Sequence, residues 1–164
     1  MLPLARYLLG RGCDVVMVAN DLPALNDITV AELAHVLERA AQLDAQLAGA
    51  LHAAAAAGSP VSCTSPAPPG APARLWHIGN GHGSPCLDLH RVSADLCSAS
   101  EKADLVVLVG MGRAIHTNLN ARFTCDVLKA AMIKNARLAN KIFGGALYDC
   151  VCCFEPARRD SVSV

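Results

Sequence analysis

A glycine-rich stretch with one arginine is the clearest candidate for binding an anion. The segment GMGRAIHTN, residues 110–118, follows the apolar run ADLVVLV. Gly110 and Gly112 permit positive φ and close approach of backbone N–H groups to an anion, and the fork of Arg113 matches two phosphate oxygens. The pattern is neither a full dinucleotide fingerprint nor a P-loop. From these residues alone, an anion cradle and an ordinary strand-to-loop turn stay equally open.

A second stretch, NDLPALND at residues 20–27, carries hard oxygen donors. The side chains are of the kind that magnesium or manganese prefers, and they are Asn20, Asp21, Asn26 and Asp27. One carboxylate and one amide rarely form a metal site alone. For Asp27, spacing favours an Asx turn or a cap before the helix that follows over a metal ligand.

Two further side chains could take part in chemistry at residues 110–118. Lys134 interrupts the apolar run AAMIKNARLA, where a solvated helix face and a lysine aimed at a phosphate are the two interpretations. His116 lies in the candidate loop itself. For His116 a surface or structural role is favoured over acid–base catalysis.

The eight cysteines predict reduced thiols, because most of them are scattered singly. The cluster CVCC at residues 150–153 is neither a CxxC pair nor followed by histidine ligands, so zinc is not expected. On a strand, Cys150 and Cys152 would share one face, and buried packing is the favoured role for them. Cys86 is expected to be a buried thiol and not a nucleophile.

Composition narrows the classes of function. The 164 residues suit one domain, and the 14 Lys and Arg residues balance the 14 Asp and Glu residues, which argues against a nucleic-acid partner. No apolar run approaches the roughly 20 residues that a membrane span needs. We therefore expect a cytoplasmic protein with no membrane partner.

The elements that would position these residues can be predicted from periodicity. In the first half we expect a helix at 2–9, a strand at 14–20, a long helix from a Thr29–Glu32 capping box to residue 57, and a flexible insertion at 58–73. In the second half we expect strands at 74–79, 103–110 and 146–154, helices at 91–102 and 121–145, and a tail at 157–164.

Alternating strands and helices predict an α/β fold with a mainly parallel sheet that is covered on both faces. Ligands collect at the carboxyl ends of such strands. In this chain those ends carry residues 20–27, the loop GNGHGS at 79–84, and residues 110–118.

Four stretches together resemble the damage-control phosphatase domain that is fused to, or stands beside, pantothenate kinases. In the order and approximate spacing of that family they are LLGRGCDVVMVANDLPALNDITVAEL, GSPCLDL, ADLVVLVGMGRAIHTN and LKAAMIKNARLA. The resemblance implies a three-layer α/β/α sandwich. It also implies that residues 1–156 are the C-terminal part of that domain, incomplete at the N-terminus.

The resemblance implies a metal-dependent phosphatase of coenzyme A metabolite damage control. Its substrate would be a small phosphate ester of the 4′-phosphopantetheine type, its cofactor Mn, Ni, Co or Mg, and its partner a pantothenate kinase domain. The resemblance implies that Asp27 is a metal ligand, whereas its spacing alone favours a turn or a helix cap. The implied phosphate-binding residues are Gly110, Met111, Gly112, Arg113, Asn118 and Lys134, of which Arg113 and Lys134 would be catalytic.

Two departures from the family pattern qualify this activity. Val109 stands where the Glu-Gly-Met-Gly-Arg signature has its glutamate. The upstream Asp-Asn-Ser-Gly motif, which supplies two metal ligands, is absent, so we expect weak or no hydrolysis from this chain alone. The alternatives are a non-catalytic phosphate-binding or regulatory module, and a gene-model fragment that does not fold alone.

Overall fold

The computed structural model describes residues 1–61 and 70–157. Half of the predicted insertion, residues 62–69, and nearly all of the predicted tail lie outside the described residues. The chain divides into two compact units, the first formed by residues 1–84 and 91–101 and the second by residues 85–90 and those from 102 onward. Each unit contains its own small sheet. The mixture of helices with parallel strands confirms the α/β class, whereas the three-layer arrangement and the domain boundary at residue 156 stay predictions.

Within its described residues, the first unit has two parallel strands and four helices. Its elements are α1 (Leu2–Gly10), β1 (Val15–Ala19), α2 (Val30–Ala41), α3 (Ala45–Ala57), β2 (Leu75–Gly79) and α4 (Ala94–Ser100). β1 and β2 pair in register from Val15 opposite Leu75 to Ala19 opposite Gly79. The strands predicted at 14–20 and 74–79 and the helices predicted at 2–9 and 91–102 are confirmed.

The core of this unit is aliphatic, as the low aromatic content predicts. It is formed by Leu9, Ala19, Leu33, Leu37, Leu47, Ala50 and Leu75. Leu33 and Leu37 lie one turn apart on α2 and so face the same side. Helices α1, α2 and α3 therefore bury their apolar faces together with the strand pair.

The prediction of one long helix to residue 57 is wrong, because Asp44 starts a second helix. Its Oδ1 accepts hydrogen bonds from the N–H groups of Gln46 (2.9 Å) and Leu47 (3.1 Å), which caps α3. The leucine spacing continues across the break and so did not reveal it. The Thr29–Glu32 capping box is confirmed, with Thr29 N donating to Glu32 Oε2 at 2.8 Å and Glu32 N to Thr29 Oγ1 at 3.3 Å.

In the second unit, the described residues form a three-stranded mixed sheet with β4 in the middle. Its elements are β3 (Leu105–Val109), a π-helix (Met111–His116), β4 (Asp126–Met132), α5 (Ala136–Phe143) and β5 (Cys150–Glu155). β3 and β4 are parallel, and β4 and β5 are antiparallel. The strands predicted at 103–110 and 146–154 are confirmed, and each is shorter than predicted.

The prediction of a helix over 121–145 is wrong for its first half. Residues 126–132 form β4, which pairs on both sides, and its alternating Val127, Lys129 and Ala131 are buried. Leucine, lysine, alanine and methionine favour helices, so tertiary pairing overrides local propensity here. Only α5 is helical; Asn135 caps its start, and left-handed Gly144 ends it where the glycine pair predicts.

The expectation that Cys150 and Cys152 are buried is also wrong. They do share one face of β5, but both are exposed, as is Phe154. β5 is the outer strand of the described sheet, and its alternation directs these three side chains to the uncovered face. Over the described ranges, no helix is both long and apolar enough to cross a membrane.

Replacing Asp44 by alanine tests the helix break. Loss of the cap should lower the free energy of unfolding by about 1 kcal/mol, measured by urea denaturation with circular dichroism. The Asp44–Arg6 ion pair (2.6 Å) adds little, because Arg6 is well exposed. Asp44→Asn keeps an acceptor and is the matched control. Equal stability of Asp44→Ala and the parent chain would contradict the assigned cap.

Candidate functional site

The carboxyl ends of β3 and β4 bring the glycine-rich segment and Lys134 to one edge of the sheet. The Gly110 N–H donates to the Ala130 carbonyl at 2.9 Å. The backbone N–H of Lys134 contacts the Met111 sulfur, a weak acceptor, at 3.3 Å. Lys134 is exposed and follows a strand, so its predicted helical setting is wrong.

The two glycines of this segment are required by the backbone for different reasons. Gly110 has a φ of 100°, which side-chain-bearing residues rarely adopt, although a Cβ there would meet no atom within 4 Å. At Gly112 a Cβ would lie 2.2 Å from the Pro85 carbonyl oxygen. Gly110 therefore allows the turn and Gly112 allows close packing. Arg113, half-buried, lies within the π-helix that follows.

Asn118 holds the backbone of this segment in place. Its side chain is almost fully buried, and its amide nitrogen donates to the carbonyls of Leu87 (2.9 Å) and Arg113 (2.8 Å). Thr117 Oγ1 donates to the Gly112 carbonyl at 2.9 Å. These bonds tie the π-helix to residues 85–90. Contact of Asn118 with phosphate stays a prediction.

Lys129 anchors the loop that leaves the π-helix, a role that the sequence reasoning missed. Its side chain is fully buried, and its ammonium donates to the carbonyls of Leu119 (2.7 Å) and Ala121 (3.0 Å) and to Glu155 Oε1 (2.9 Å). The sequence feature that could have indicated its burial is that the residues two positions before and after it, Val127 and Ala131, are apolar.

Glu155 completes this charge network. Its second oxygen accepts from Arg122 Nη1 at 2.6 Å. The hydrogen bond from Lys129 is the main cause that lowers the pKa of Glu155 below its ordinary value; burial opposes the shift, and Arg122 reinforces it. The carboxylate therefore stays charged at neutral pH and balances the buried ammonium.

A cleft of about 720 Å³ borders the loop after the π-helix. It is lined by residues 87–90, by residues 115–121 and by Leu138 and Ile142 of α5. Its volume lies within the roughly 300–1,000 Å³ of small-molecule sites. His116 lies on its wall and is exposed; its predicted surface or structural role is not tested further.

In the first unit, two buried asparagines organise the loops at the carboxyl ends of β1 and β2. Asn80 Nδ2 donates to Asn20 Oδ1 at 2.7 Å, and Asn20 Nδ2 donates to the Ser84 carbonyl at 3.1 Å. Asn80 Oδ1 accepts from the His82 N–H at 3.0 Å. Asp21 in turn accepts from the Gly81 N–H. Asn20 and Asp21, candidate metal ligands by type, thus serve the loop backbone.

Asp27 lies half-buried beside an open cavity of about 420 Å³, which Asn26 and Glu32 also line. Glu32 is engaged in the capping box, and the hydrogen bond from the Thr29 backbone is the main cause that lowers its pKa. Among the described residues there is no group of three His, Cys, Asp or Glu side chains placed to hold a metal. Since a divalent ion needs several fixed oxygen ligands, these residues do not form a complete site, and Asp27 as a ligand stays a prediction.

Comparison with known proteins gives a consistent set of relatives. The family described as "Damage-control phosphatase ARMT1-like domain" matches residues 1–151. Pantothenate kinase 2 of Oryza sativa subsp. japonica is 49% identical over 95% of this chain and 18% of its own length. A damage-control phosphatase of Arabidopsis thaliana is 42% identical over 92% of this chain and 35% of its own. The 4′-phosphopantetheine phosphatase of Mus musculus is 34% identical over 93% of this chain and 22% of its own. The chain thus spans about a fifth to a third of the lengths of these relatives.

Replacing Lys129 by methionine tests the buried network. It leaves two carbonyls without their donor and Glu155 without its main partner, so the free energy of unfolding should fall by about 3 kcal/mol in urea denaturation. Lys141→Met, at an exposed position of α5, is the control and should change stability little. Equal stability of the two variants would contradict the network.

Acid titration of stability tests the charge of Glu155. Because its folded pKa is below the ordinary 4.5, the carboxylate contributes stability above that pH, and the contribution is lost as pH falls through the folded pKa. The unfolding free energy of the parent chain should therefore fall more steeply below about pH 4.5 than that of Glu155→Gln. Parallel profiles between pH 6 and pH 3 would contradict the assignment.

Proposed function

The chain belongs to the family of ARMT1-like damage-control phosphatase domains, and from this premise we propose that it binds phosphomonoesters of the 4′-phosphopantetheine type and takes part in their hydrolysis. The substrate class is supported by the mouse relative, whose name is 4′-phosphopantetheine phosphatase. A pantothenate kinase domain is the proposed partner, since the rice relative is named pantothenate kinase 2. A cytoplasmic location belongs to the same proposal.

The observation that carries this proposal is the shared sheet edge of Gly110–Arg113 and Lys134. The Met111 sulfur and the Lys134 N–H, 3.3 Å apart, join the two strand ends. In phosphoryl transfer, charge is spread over three equatorial oxygens, so catalysis consists mainly of positioning and electrostatic stabilisation. The planar fork of Arg113 suits two of these oxygens, and the ammonium of Lys134 supplies a point charge for a third.

Asn118 supports this arrangement without needing to touch the substrate. It holds the Arg113 carbonyl at 2.8 Å and so restrains the backbone from which the guanidinium extends. Lys129 holds the loop that follows, through the carbonyls of Leu119 and Ala121. The two cationic side chains would then meet the phosphate from a fixed backbone, which lowers the entropic cost of binding.

For Asp27 we propose one oxygen ligand to a divalent ion, Mn, Ni, Co or Mg. A complete ligand set is not found among the described residues, so the chemistry assigned to this chain is phosphate binding and charge neutralisation.

A second candidate function is phosphate-ester binding without turnover, as in a regulatory module. The observation that favours it is Val109, the last residue of β3, paired with Ala130 of β4. By the family resemblance a glutamate would occupy this position, and its carboxylate is replaced by an aliphatic side chain.

Arg113→Ala tests the proposed phosphate contact. Loss of charge-assisted hydrogen bonds worth about 1.5–3 kcal/mol should weaken 4′-phosphopantetheine binding roughly tenfold or more, measured by isothermal calorimetry. Arg39→Ala on α2 is the control and should bind like the parent chain. Equal affinities of all three proteins would contradict the contact.

Phosphate release under the same conditions separates the two candidates. Release with one of the four ions, lost in Arg113→Ala, supports hydrolysis. Binding heat without release with any ion supports the regulatory module. Absence of binding contradicts both.

A further inference from the structure

Three sulfur-bearing side chains lie on the exposed face of the β4–β5 pair. Cys150 and Cys152 are exposed free thiols on β5. Met132, the last residue of β4, is 46% exposed. The register places Met132 directly opposite Cys150, and Ala130 opposite Cys152. All three sulfur-bearing side chains therefore project from the same side of the sheet.

The spacing of these residues lets one ion reach more than one sulfur. Two residues along a strand are about 6.6–6.8 Å apart, and directly opposed residues have Cβ atoms about 5 Å apart. Metal–thiolate bonds of about 2.3 Å join sulfurs roughly 4.6 Å apart. Rotation about χ1 brings the two cysteine sulfurs to that separation without moving the backbone, because an exposed face leaves these rotamers room.

The donor types select the class of metal. Thiolate and thioether sulfurs are soft ligands and favour Cu(I) over hard cations. A structural zinc site needs four ligands, usually Cys or His, and in the parts of the chain that the structure covers no third His, Cys, Asp or Glu side chain joins the two thiols in a metal-binding group. A monovalent soft ion is satisfied by fewer ligands, so two thiolates and a thioether match it better.

Two other cysteines, Cys153 and Cys97, lack this arrangement. Cys153 lies on the opposite face of β5, in register with the buried Lys129. Cys97 is exposed on α4, a separate element in the other unit. These two positions supply matched controls for a site that depends on geometry and not on thiol content.

We propose that Cys150, Cys152 and Met132 form a surface site for a soft monovalent metal ion, and that this ion is Cu(I). Binding breaks two S–H bonds, releases two protons to the buffer and forms two copper–thiolate bonds, and the copper stays in its monovalent state. The Met132 thioether adds a neutral third donor. The site is independent of the proposed phosphatase function, since it uses none of the residues assigned to phosphate.

A competition titration tests the proposal. The reduced full chain is mixed, without oxygen, with the Cu(I) complex of the chromophoric chelator bicinchoninate, and the loss of chelator absorbance is measured. The parent chain should withdraw one Cu(I) per chain. The double variant Cys150→Ser/Cys152→Ser should not remove this one equivalent of copper from the chelator. Met132→Leu should bind Cu(I) more weakly and leave a larger share of the copper with the chelator.

The controls are Cys97→Ser and Cys153→Ser, which should withdraw copper like the parent chain. Circular dichroism of the double variant should be unchanged, because its two side chains are exposed. The proposal is overturned if the parent chain leaves all copper with the chelator, if the double variant binds as the parent does, or if Cys97→Ser loses the same equivalent.

Discussion

A buried ammonium organises the second unit of this protein. Lys129 lies in the central strand with no exposed surface, where an unpaired charge would carry a large desolvation penalty. Its three donors are directed to two carbonyls of the loop after the π-helix and to Glu155 on the last strand. The same contacts that satisfy the charge therefore hold the loop, β4 and β5 together. The glycine-rich segment lies between β3 and this anchored loop, so its conformation depends on the network.

Local signals predicted most of the elements correctly. Apolar β-branched runs revealed β1 and β3, and the Thr29–Glu32 spacing revealed a capping box, because each signal acts within a few residues. β4 was missed because the residues that form it also suit a helix, and only pairing with β3 and β5 decides the outcome. The cap at Asp44 was missed because the leucine pattern runs through it.

The candidate site was partly predictable for a related reason. Glycines before an arginine suggested either an anion cradle or a turn. For Lys134 the residues left two interpretations open and the family resemblance favoured a phosphate contact; the parallel strands bring this lysine to the same edge. The supporting roles of Asn118 and Lys129 depend on Leu87 and Glu155, which lie 31 and 26 residues away in the chain. No spacing rule connects such partners.

The central claim is that a phosphate ester binds at Gly110–Arg113 and Lys134. The most direct measurement is a titration of the ¹⁵N-labelled chain with 4′-phosphopantetheine, followed by the NMR shifts of backbone amides. The account predicts saturable shifts of the amides of residues 110–113 and 134, and no shift of the amides near the helix cap at Asp44. Saturable shifts confined to other residues, with those of 110–113 unchanged, would contradict it.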